Sequence, residues 1–457
     1  MTGCFVWAAI LIKPLNFLIL EMAVIAIAAL LYLSYRDVTN LVAVWLLALL
    51  FVFFSKTSLG IDMPNLSLDR MLWCFLAAYY LFALFMGRIS LKRRMTELLM
   101  LILFCLAFFS VVKMKGASMS RELLDTYSLL FNTYIAPFFV FVIAKDFIQD
   151  ENKVRKLFTF LSVILLYLSL TAIFEHFRLN AFVFPQDIMN PNLGIHFGRA
   201  RGPFLQAAIN GTVMGILCIT NLYMVFNARR GYRLFFIVIA VISPLAVFFT
   251  YTRAAWLGLV ASFVFISFLN PRFRKYIWGL IFLGAIITVP LHAKVLDIDK
   301  VVARSFSMSP IYDRINLYYT YFNMIKDRPL LGFGFANFSN YSHEYFSTMR
   351  RENPYQFVIP EIHDSFMGVL VELGLTGFLI FMSILAVVFS KSIYLYRHSV
   401  PDGFLGRGIV VVFWGVAIIY LVNALFIDMK FHQFQNALFY MIAGIISGLS
   451  ARKAGYE

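Results

Sequence analysis

Long apolar runs recur from one end of the chain to the other, and this feature most limits what the chain can fold into. Each run is roughly 17–25 residues long, which as a helix is enough to cross the ~30 Å hydrocarbon core of a bilayer. Hydrophobic residues make up 61% of the 457 residues, and only 14% are charged. Because a transmembrane β-barrel shows alternating strands rather than solid apolar blocks, the sequence predicts an all-α, polytopic membrane protein.

The apolar runs predict about 12 transmembrane helices, and about 12–14 crossings stay open because residues 4–12 could form a partial span. The predicted spans are 15–35, 38–55, 71–88, 97–113, 127–146, 156–175, 204–226, 234–251, 254–270, 277–293, 364–391, 409–428 and 433–450. All four cysteines lie in apolar runs with no CxxC motif and no Cys/His cluster. This pattern predicts neither a disulfide framework nor a zinc site, and we expect no metal and no cofactor.

The basic excess of the chain lies mostly in short loops between the spans. The formal net charge is +15, which in a soluble protein would suggest a nucleic-acid partner. Lys and Arg cluster in the loops 88–94, 229–233 and 272–275 and at the C-terminus, and the positive-inside rule assigns these loops to the cytoplasm. The opposite side then carries 176–203 and a long segment, 294–362.

The same pattern divides the chain into three parts. Residues 1–293 are predicted to form an N-terminal transmembrane bundle, residues 294–362 an extracytoplasmic loop, and residues 363–457 the C-terminal transmembrane helices. Within the loop, apolar residues recur at helical spacing from 311 to 326. We expect this loop helix to lie on the membrane face and to cover a site.

Polar side chains collect near the predicted outer ends of the spans, where their desolvation is expensive and a function is the usual reason for keeping them. An arginine there can instead be an interfacial anchor, and a single histidine a polar cap. The candidates are Arg199, Arg201, Gln206 and Asn210 in "GRARGPFLQAAINGT", Arg253 in "TYTRAAW", Arg314 in the loop helix, and His363.

The stretch "EIHDSFMGVLVELGLTGF" places polar residues at the start and in the middle of an apolar run. Ser365 and Glu372 are seven residues apart and therefore share one helix face. His363 and Glu372 are nine apart, about half a turn out of phase, so one straight helix does not pair them directly. We expect Glu372 to take a partner on a neighbouring helix and to stabilise packing.

Four stretches, in this order, resemble the O-antigen ligase-like superfamily of bacterial membrane proteins. "RARGPFLQAAINGT" is similar to its Arg-x-x-Gly-x-Phe segment, with Gln206 and Asn210 replacing the usual Asn-Pro-Asn-like continuation. "TYTRAAWLGL" resembles its Thr-Arg element, and "DRINLYYTYFNMIKDRPLLGFGFANF" its loop helix followed by Pro-x-x-Gly-x-Gly. "HDSFMGVLVELGLTGF" resembles its His-x-Ser…Glu-Leu-Gly-x-x-Gly signature. The resemblance covers about 199–377.

The resemblance implies a GT-C-like, metal-independent glycosyltransferase of the bacterial inner membrane. Such enzymes move a glycan from undecaprenyl diphosphate to an acceptor hydroxyl at the outer face, and lipid A–core is the favoured acceptor here. The family's essential His and Arg correspond to His363, Arg201, Arg253 and Arg314, with Arg199 open as an alternative to Arg201. Arginine is suited to binding diphosphate, and histidine to acting as a general base, which predicts inversion at the anomeric carbon.

Three other functions stay open from the sequence. Polysaccharide polymerases and protein O-oligosaccharyltransferases belong to the same superfamily and use the same donor type. A lipid-linked glycan flippase or transporter would bind the same anion without cleaving it. Such transporters more often show internal repeats and charge along a central path, and this sequence has no visible repeat.

Overall fold

The structure, a computed structural model, describes residues 37–54, 67–89, 94–112, 121–270, 273–275, 277–279, 309–345 and 362–455. Within these ranges the chain is helical and contains no β-strand. The helices are α1 (Val38–Leu50), α2 (Leu68–Phe85), α3 (Met95–Val112), α4 (Arg121–Leu130), α5 (Ala136–Phe147), α6 (Glu151–His176), α7 (Ala207–Asn227), α8 (Arg233–Phe248), α9 (Arg253–Leu269), α10 (Ser309–Asp327), α11 (Phe338–Tyr345), α12 (Ser365–His398), α13 (Arg407–Ala424) and α14 (Gln433–Lys453). A π-helical turn, Phe131–Ile135, joins α4 to α5.

Nine helical stretches within the described ranges are long and apolar enough to cross a membrane. The prediction of an all-α, polytopic membrane protein is therefore confirmed. Helices α1 and α9 are shorter apolar helices at two further predicted spans. The predicted span 15–35 and most of 277–293 lie outside the described residues. The exact number of crossings and the division into three parts stay predictions.

Helices α7 and α14 form the centre of the bundle. In each, 94% of the most apolar window is buried, against 22% in α2, which lies at the periphery. Glycines allow the closest approach between α14 and α5. A Cβ atom at Gly444 or Gly448 would lie 2.3 Å from a backbone carbonyl oxygen of α5, so only glycine fits.

One end of the bundle, which we call the loop face, brings together parts of the chain far apart in sequence. The carboxylate of Glu175, at the end of α6, accepts hydrogen bonds of 3.0 and 2.8 Å from the backbone N–H groups of Arg201 and Gly202. The hydroxyl of Ser365, at the start of α12, donates to the carbonyl of Ile427 at 2.8 Å. Ile427 lies in the segment between α13 and α14, residues 425–432, which we call the connector.

Helix α12 is broken at Gly374, and another part of the chain fills the break. Gly374 has φ +66°, and a Cβ there would lie 2.3 Å from the carbonyl oxygen of Leu330. Four backbone hydrogen bonds of 2.8–3.2 Å join the segment 329–334 to residues 371–376 across the break. The Pro-x-x-Gly-x-Gly and Glu-Leu-Gly motifs therefore bind one another, and each satisfies backbone groups that the broken helix leaves without partners.

Helix α10 occupies Ser309–Asp327, where the sequence predicts a loop helix from 311 to 326. Its buried residues Leu317, Tyr321 and Met324 pack against Ile362 and Val371. Together with the segment 329–334, this contact fixes α10 on the first half of α12. Residues 294–308 and 346–361 of the predicted loop lie outside the described residues.

Candidate active site

Two tyrosines of α10 hold the pair of residues that precedes α12. The hydroxyl of Tyr321 accepts a 3.2 Å hydrogen bond from the backbone N–H of His363, and the hydroxyl of Tyr318 donates to Asp364 Oδ2 at 2.8 Å. Burial, and then the hydrogen bond to Asp364, raises the pKa of Tyr318 to about 12, so the phenol stays a donor at neutral pH. Tyr321 fixes the backbone of His363, and the exposed side chain of His363 lies at the loop face.

Asp364 also caps α12. Its Oδ1 accepts hydrogen bonds of 2.9 and 3.1 Å from the backbone N–H groups of Phe366 and Met367, and the residue is 4% exposed. One carboxylate thus joins the first turn of α12 to α10. This explains why an apolar helix begins after a His-Asp pair. The aspartate caps the first turn of the helix, and this cap fixes the position of the adjacent histidine.

Arg253 and Arg314 come close to one another beside this pair. Burial lowers the pKa of Arg314, and the positive charge of Arg253 lowers it further, while Tyr318 and Asp364 raise it. The guanidinium of Arg314 lies over the ring of Phe426 in the connector, 4.7 Å from its centroid. Neither arginine forms an ion pair with a carboxylate whose position the structure describes. Two neighbouring cations without a paired anion form a site that favours a multiply charged anion.

Arg199 supports the turn from which Arg253 projects. Its guanidinium donates hydrogen bonds of 2.8 Å to the carbonyl of Thr250 and 2.5 Å to the hydroxyl of Thr252. Thr252 is the N-cap of α9, and Arg253 is its first residue. The positive end of the α9 dipole and the Arg253 side chain therefore lie at the same place on the loop face.

Arg201 has a different environment. Its guanidinium is 1% exposed and donates hydrogen bonds to the backbone carbonyls of Ile188, Asn190 and Leu193. These bonds hold the loop between α6 and α7 in its shape. The structure does not place this guanidinium with those of Arg253 and Arg314, and the diphosphate-binding role of Arg201 stays a prediction.

The two polar residues that follow Arg201 separate in the structure. Asn210 is fully buried and its Nδ2 donates to the carbonyl of Ala200 at 3.2 Å, next to Gly202. Asn210 therefore packs the turn that leads into α7. Gln206 is the N-cap of α7 and lines a cavity on the loop face that is described below.

Glu372 has its partner in the connector. Its carboxylate contacts the ammonium of Lys430 at 2.5 Å, and the same ammonium contacts Asp428 at 3.1 Å. Burial raises the pKa of Asp428 to about 6, although the charge of Lys430 acts in the opposite direction. All three side chains are buried, so the cluster ties α12 to the connector.

Several residues of this site cannot be singled out from the sequence. Tyr318 reads as an apolar position of the loop helix, and Tyr321 falls outside the apolar positions that the spacing predicts, although three residues separate the two and put them on one face. Phe426 lies near the end of the predicted span 409–428 and Lys430 just after it. A single aromatic residue or cation is common at such a position. Among the described residues, no group of three His, Cys, Asp or Glu side chains could hold a metal ion, and metal independence stays a prediction.

The Asp364 cap provides a test of this arrangement. We expect Asp364→Ala to lower the stability of the protein by about 1 kcal/mol, because two N–H groups of α12 lose their acceptor. Tyr318→Phe should keep the cap and lose only the link to α10. Ser67→Ala is the matched control, since Ser67 is the N-cap of α2 and makes no capping hydrogen bond. Thermal unfolding in detergent micelles measures the three variants, and equal losses for Asp364→Ala and Ser67→Ala would contradict the assignment.

Comparison with known proteins gives an independent result. Residues 238–382 match the family model of O-antigen ligase, and this span contains Arg253, Arg314, His363 and the break in α12. No curated protein matches the chain. The match confirms the resemblance to the O-antigen ligase-like superfamily over this span, which contains three of the four sequence motifs, while the stretch 199–212 precedes it.

Proposed function

We propose that the protein transfers a glycan from undecaprenyl diphosphate to an acceptor hydroxyl, with lipid A–core as the favoured acceptor, at the outer face of the bacterial inner membrane. The observation that carries the proposal is the meeting of three elements at the loop face. Arg253 begins α9, Arg314 lies on α10, and His363 precedes α12 next to Asp364, whose charge acts on Arg314. A paired cationic site beside an exposed imidazole suits a reaction that expels diphosphate from a sugar.

The arginines stabilise the leaving group in this mechanism. The bond between the anomeric carbon and the diphosphate oxygen breaks, and both bonding electrons leave with the undecaprenyl diphosphate. Planar, permanently charged guanidinium groups bind the phosphate oxygens as this negative charge grows. Arg199 contributes by holding the turn of Arg253, and the undecaprenyl chain lies in the bilayer.

His363 acts on the acceptor. As the acceptor oxygen bonds to the anomeric carbon, its proton moves to the neutral imidazole, which later releases it to water. The attack comes from the face opposite the diphosphate, so one displacement inverts the anomeric configuration. The fixed backbone of His363, held by Tyr321, keeps the imidazole at the loop face for this step.

The arginine pair is tested by single substitutions. We expect Arg253→Ala and Arg314→Ala each to reduce the transfer rate by about 10²-fold, because each removes a donor from the leaving group. Arg314→Lys should recover only part of the rate, since the ammonium lacks the two-pronged geometry. Arg178→Ala is the control, because Arg178 is also exposed at the loop face but lies outside the pair. An equal loss in the control would show that surface charge alone is responsible.

The acceptor is tested by reconstitution. Purified protein in liposomes receives lipid-linked glycan labelled in its sugar, with or without lipid A–core. We expect labelled lipid A–core and free undecaprenyl diphosphate in the first case and no product in the second. A ladder of longer lipid-linked glycans without added acceptor would identify a polymerase instead. Movement of label across the bilayer without cleavage would identify a transporter.

A further inference from the structure

A second polar cavity lies at the loop face, on the other side of the connector from the arginine pair. It has a volume of about 300 Å³, which lies at the lower end of the range of small-ligand sites. The end of α1, the start of α2, the π-helical turn, the start of α7 and the end of the connector form its walls. Its polar lining includes Ser67 beside Asp69, Arg70, Asn132, Gln206, His432 and Gln433.

Two of these side chains keep buried atoms without hydrogen-bond partners in the described part of the chain. Asp69 is 2% exposed, and its Oδ1, an acceptor, has no partner. The Nε2 of Gln433, a donor, likewise has none. Buried polar atoms are usually satisfied, and an unsatisfied acceptor and an unsatisfied donor in one cavity wall indicate a ligand that both donates and accepts.

The charge of the cavity limits what that ligand can be. Arg70 is held in place, because it donates to the hydroxyl of Ser128 and lies 5.5 Å from the ring centroid of Phe131. Its positive charge balances that of Asp69. Burial lowers the pKa of His432 to about 3, so this imidazole is neutral. The described lining residues therefore carry no net charge, which disfavours a phosphate and favours a neutral ligand rich in hydroxyl groups.

The apolar walls agree with this choice. Phe53 and Phe431 are 54% and 56% exposed and line the cavity. Exposed phenyl rings beside amide and carboxylate groups suit a sugar. The C–H face of a sugar packs on a ring, and its hydroxyl groups form hydrogen bonds with the polar side chains. Asn132 lies in the π-helical turn, an irregularity that is frequent at functional sites.

We propose that this cavity binds a neutral sugar of the acceptor glycan, an inference that rests on the proposed glycosyl transfer. The connector separates the two sites: Phe426 contacts Arg314 on one side, and Phe431 and His432 line the cavity on the other. The donor sugar is bonded directly to its diphosphate and must therefore lie beside the arginines. We therefore assign the sugar across the connector to the acceptor, which brings the hydroxyl, and this sugar positions the acceptor hydroxyl at His363.

The first test compares the two substrates kinetically. Asp69→Ala should raise the KM for lipid A–core by about 10- to 100-fold, because a hydroxyl loses a charged acceptor, and should leave the KM for the lipid-linked donor unchanged. Gln433→Ala should act in the same direction and serves if Asp69→Ala does not fold. Asp187→Ala, at an exposed site on the same face, is the control. A rise in the KM for the donor alone, or no change in either value, would overturn the proposal.

The second test does not depend on turnover. Phe53→Cys is placed in a chain whose four native cysteines are alanine and whose His363 is alanine, and the rate of maleimide labelling is measured. We expect the oligosaccharide released from lipid A–core to slow labelling, and Asp69→Ala to abolish this protection. Protection by the lipid-linked donor alone, or no protection, would show a donor site or a water-filled cavity and would overturn the inference. If instead the wild-type protein fails to transfer glycan while protection persists, the proposed reaction fails and the sugar site stands.

Discussion

Replacing His363 by alanine is expected to reduce glycan transfer by about 10²–10⁴-fold, because the acceptor hydroxyl loses the base that takes its proton. Donor binding should stay near the wild-type value, since the diphosphate is bound by Arg253 and Arg314. The backbone N–H that Tyr321 accepts is unchanged by the substitution, so the start of α12 should keep its position. Single-turnover transfer of labelled glycan measures the rate, and retention of labelled donor on the purified protein measures binding.

His343→Ala is the matched control for this experiment. His343 is an exposed histidine of α11, in the same part of the structure but away from the start of α12. Full activity of the His363 variant would refute the general-base role. A product that retains the anomeric configuration, or a covalent glycosyl-enzyme, would refute the single displacement even if the histidine proved essential.

Gly374→Ala is expected to have the largest effect on folding. Alanine at φ +66° and ψ −172° is strained by about 1–3 kcal/mol, because essentially only glycine adopts this backbone conformation, and its Cβ would meet the carbonyl oxygen of Leu330 at 2.3 Å. That oxygen belongs to backbone rather than to a flexible side chain, so the segment 329–334 must leave the break. We expect little folded protein after extraction in detergent, measured as the monodisperse fraction in size-exclusion chromatography.

Gly87→Ala separates the two causes. Gly87 also has a positive φ, +68°, but nothing lies within 4 Å of the Cβ position there. This variant suffers the backbone strain alone and should lose only a small part of the folded protein. Equal yields for the two variants would show that the contact between α12 and the segment 329–334 does not limit folding.

The sequence predicts the membrane class and the loop helix well because both depend on local patterns. Apolar runs must be helical in a bilayer, and the helix at Ser309–Asp327 follows from its spacing. The sequence predicts only part of the pairing of Glu372. The helical phase excludes His363 as a direct partner, but only the fold shows that Lys430 contacts the carboxylate. The break at Gly374 is invisible to hydropathy, since glycine inside an apolar run also fits an unbroken helix.

The candidate site shows a further limit of sequence reasoning. Arg199, Arg201 and Arg253 look alike as arginines near span ends, and the resemblance to the superfamily leaves the choice between Arg199 and Arg201 open. Burial and hydrogen bonding distinguish them. The guanidinium of Arg201 donates to backbone carbonyls of its own loop, and that of Arg199 donates to the turn before α9. The cavity lined by Asp69 includes Gln206 from one motif, but its other walls come from helices outside the motifs that only tertiary packing brings together.

The break in α12 has a consequence for the order of membrane insertion. Residues 329–334 are synthesised before α12 and supply the acceptors and donors that its interrupted backbone lacks. A translocon that released α12 into lipid alone would expose these groups to hydrocarbon, at several kcal/mol for each. The segment 329–334 is therefore needed at the bilayer surface when α12 inserts, so that correct insertion of this span depends on a segment that lies outside the apolar helices.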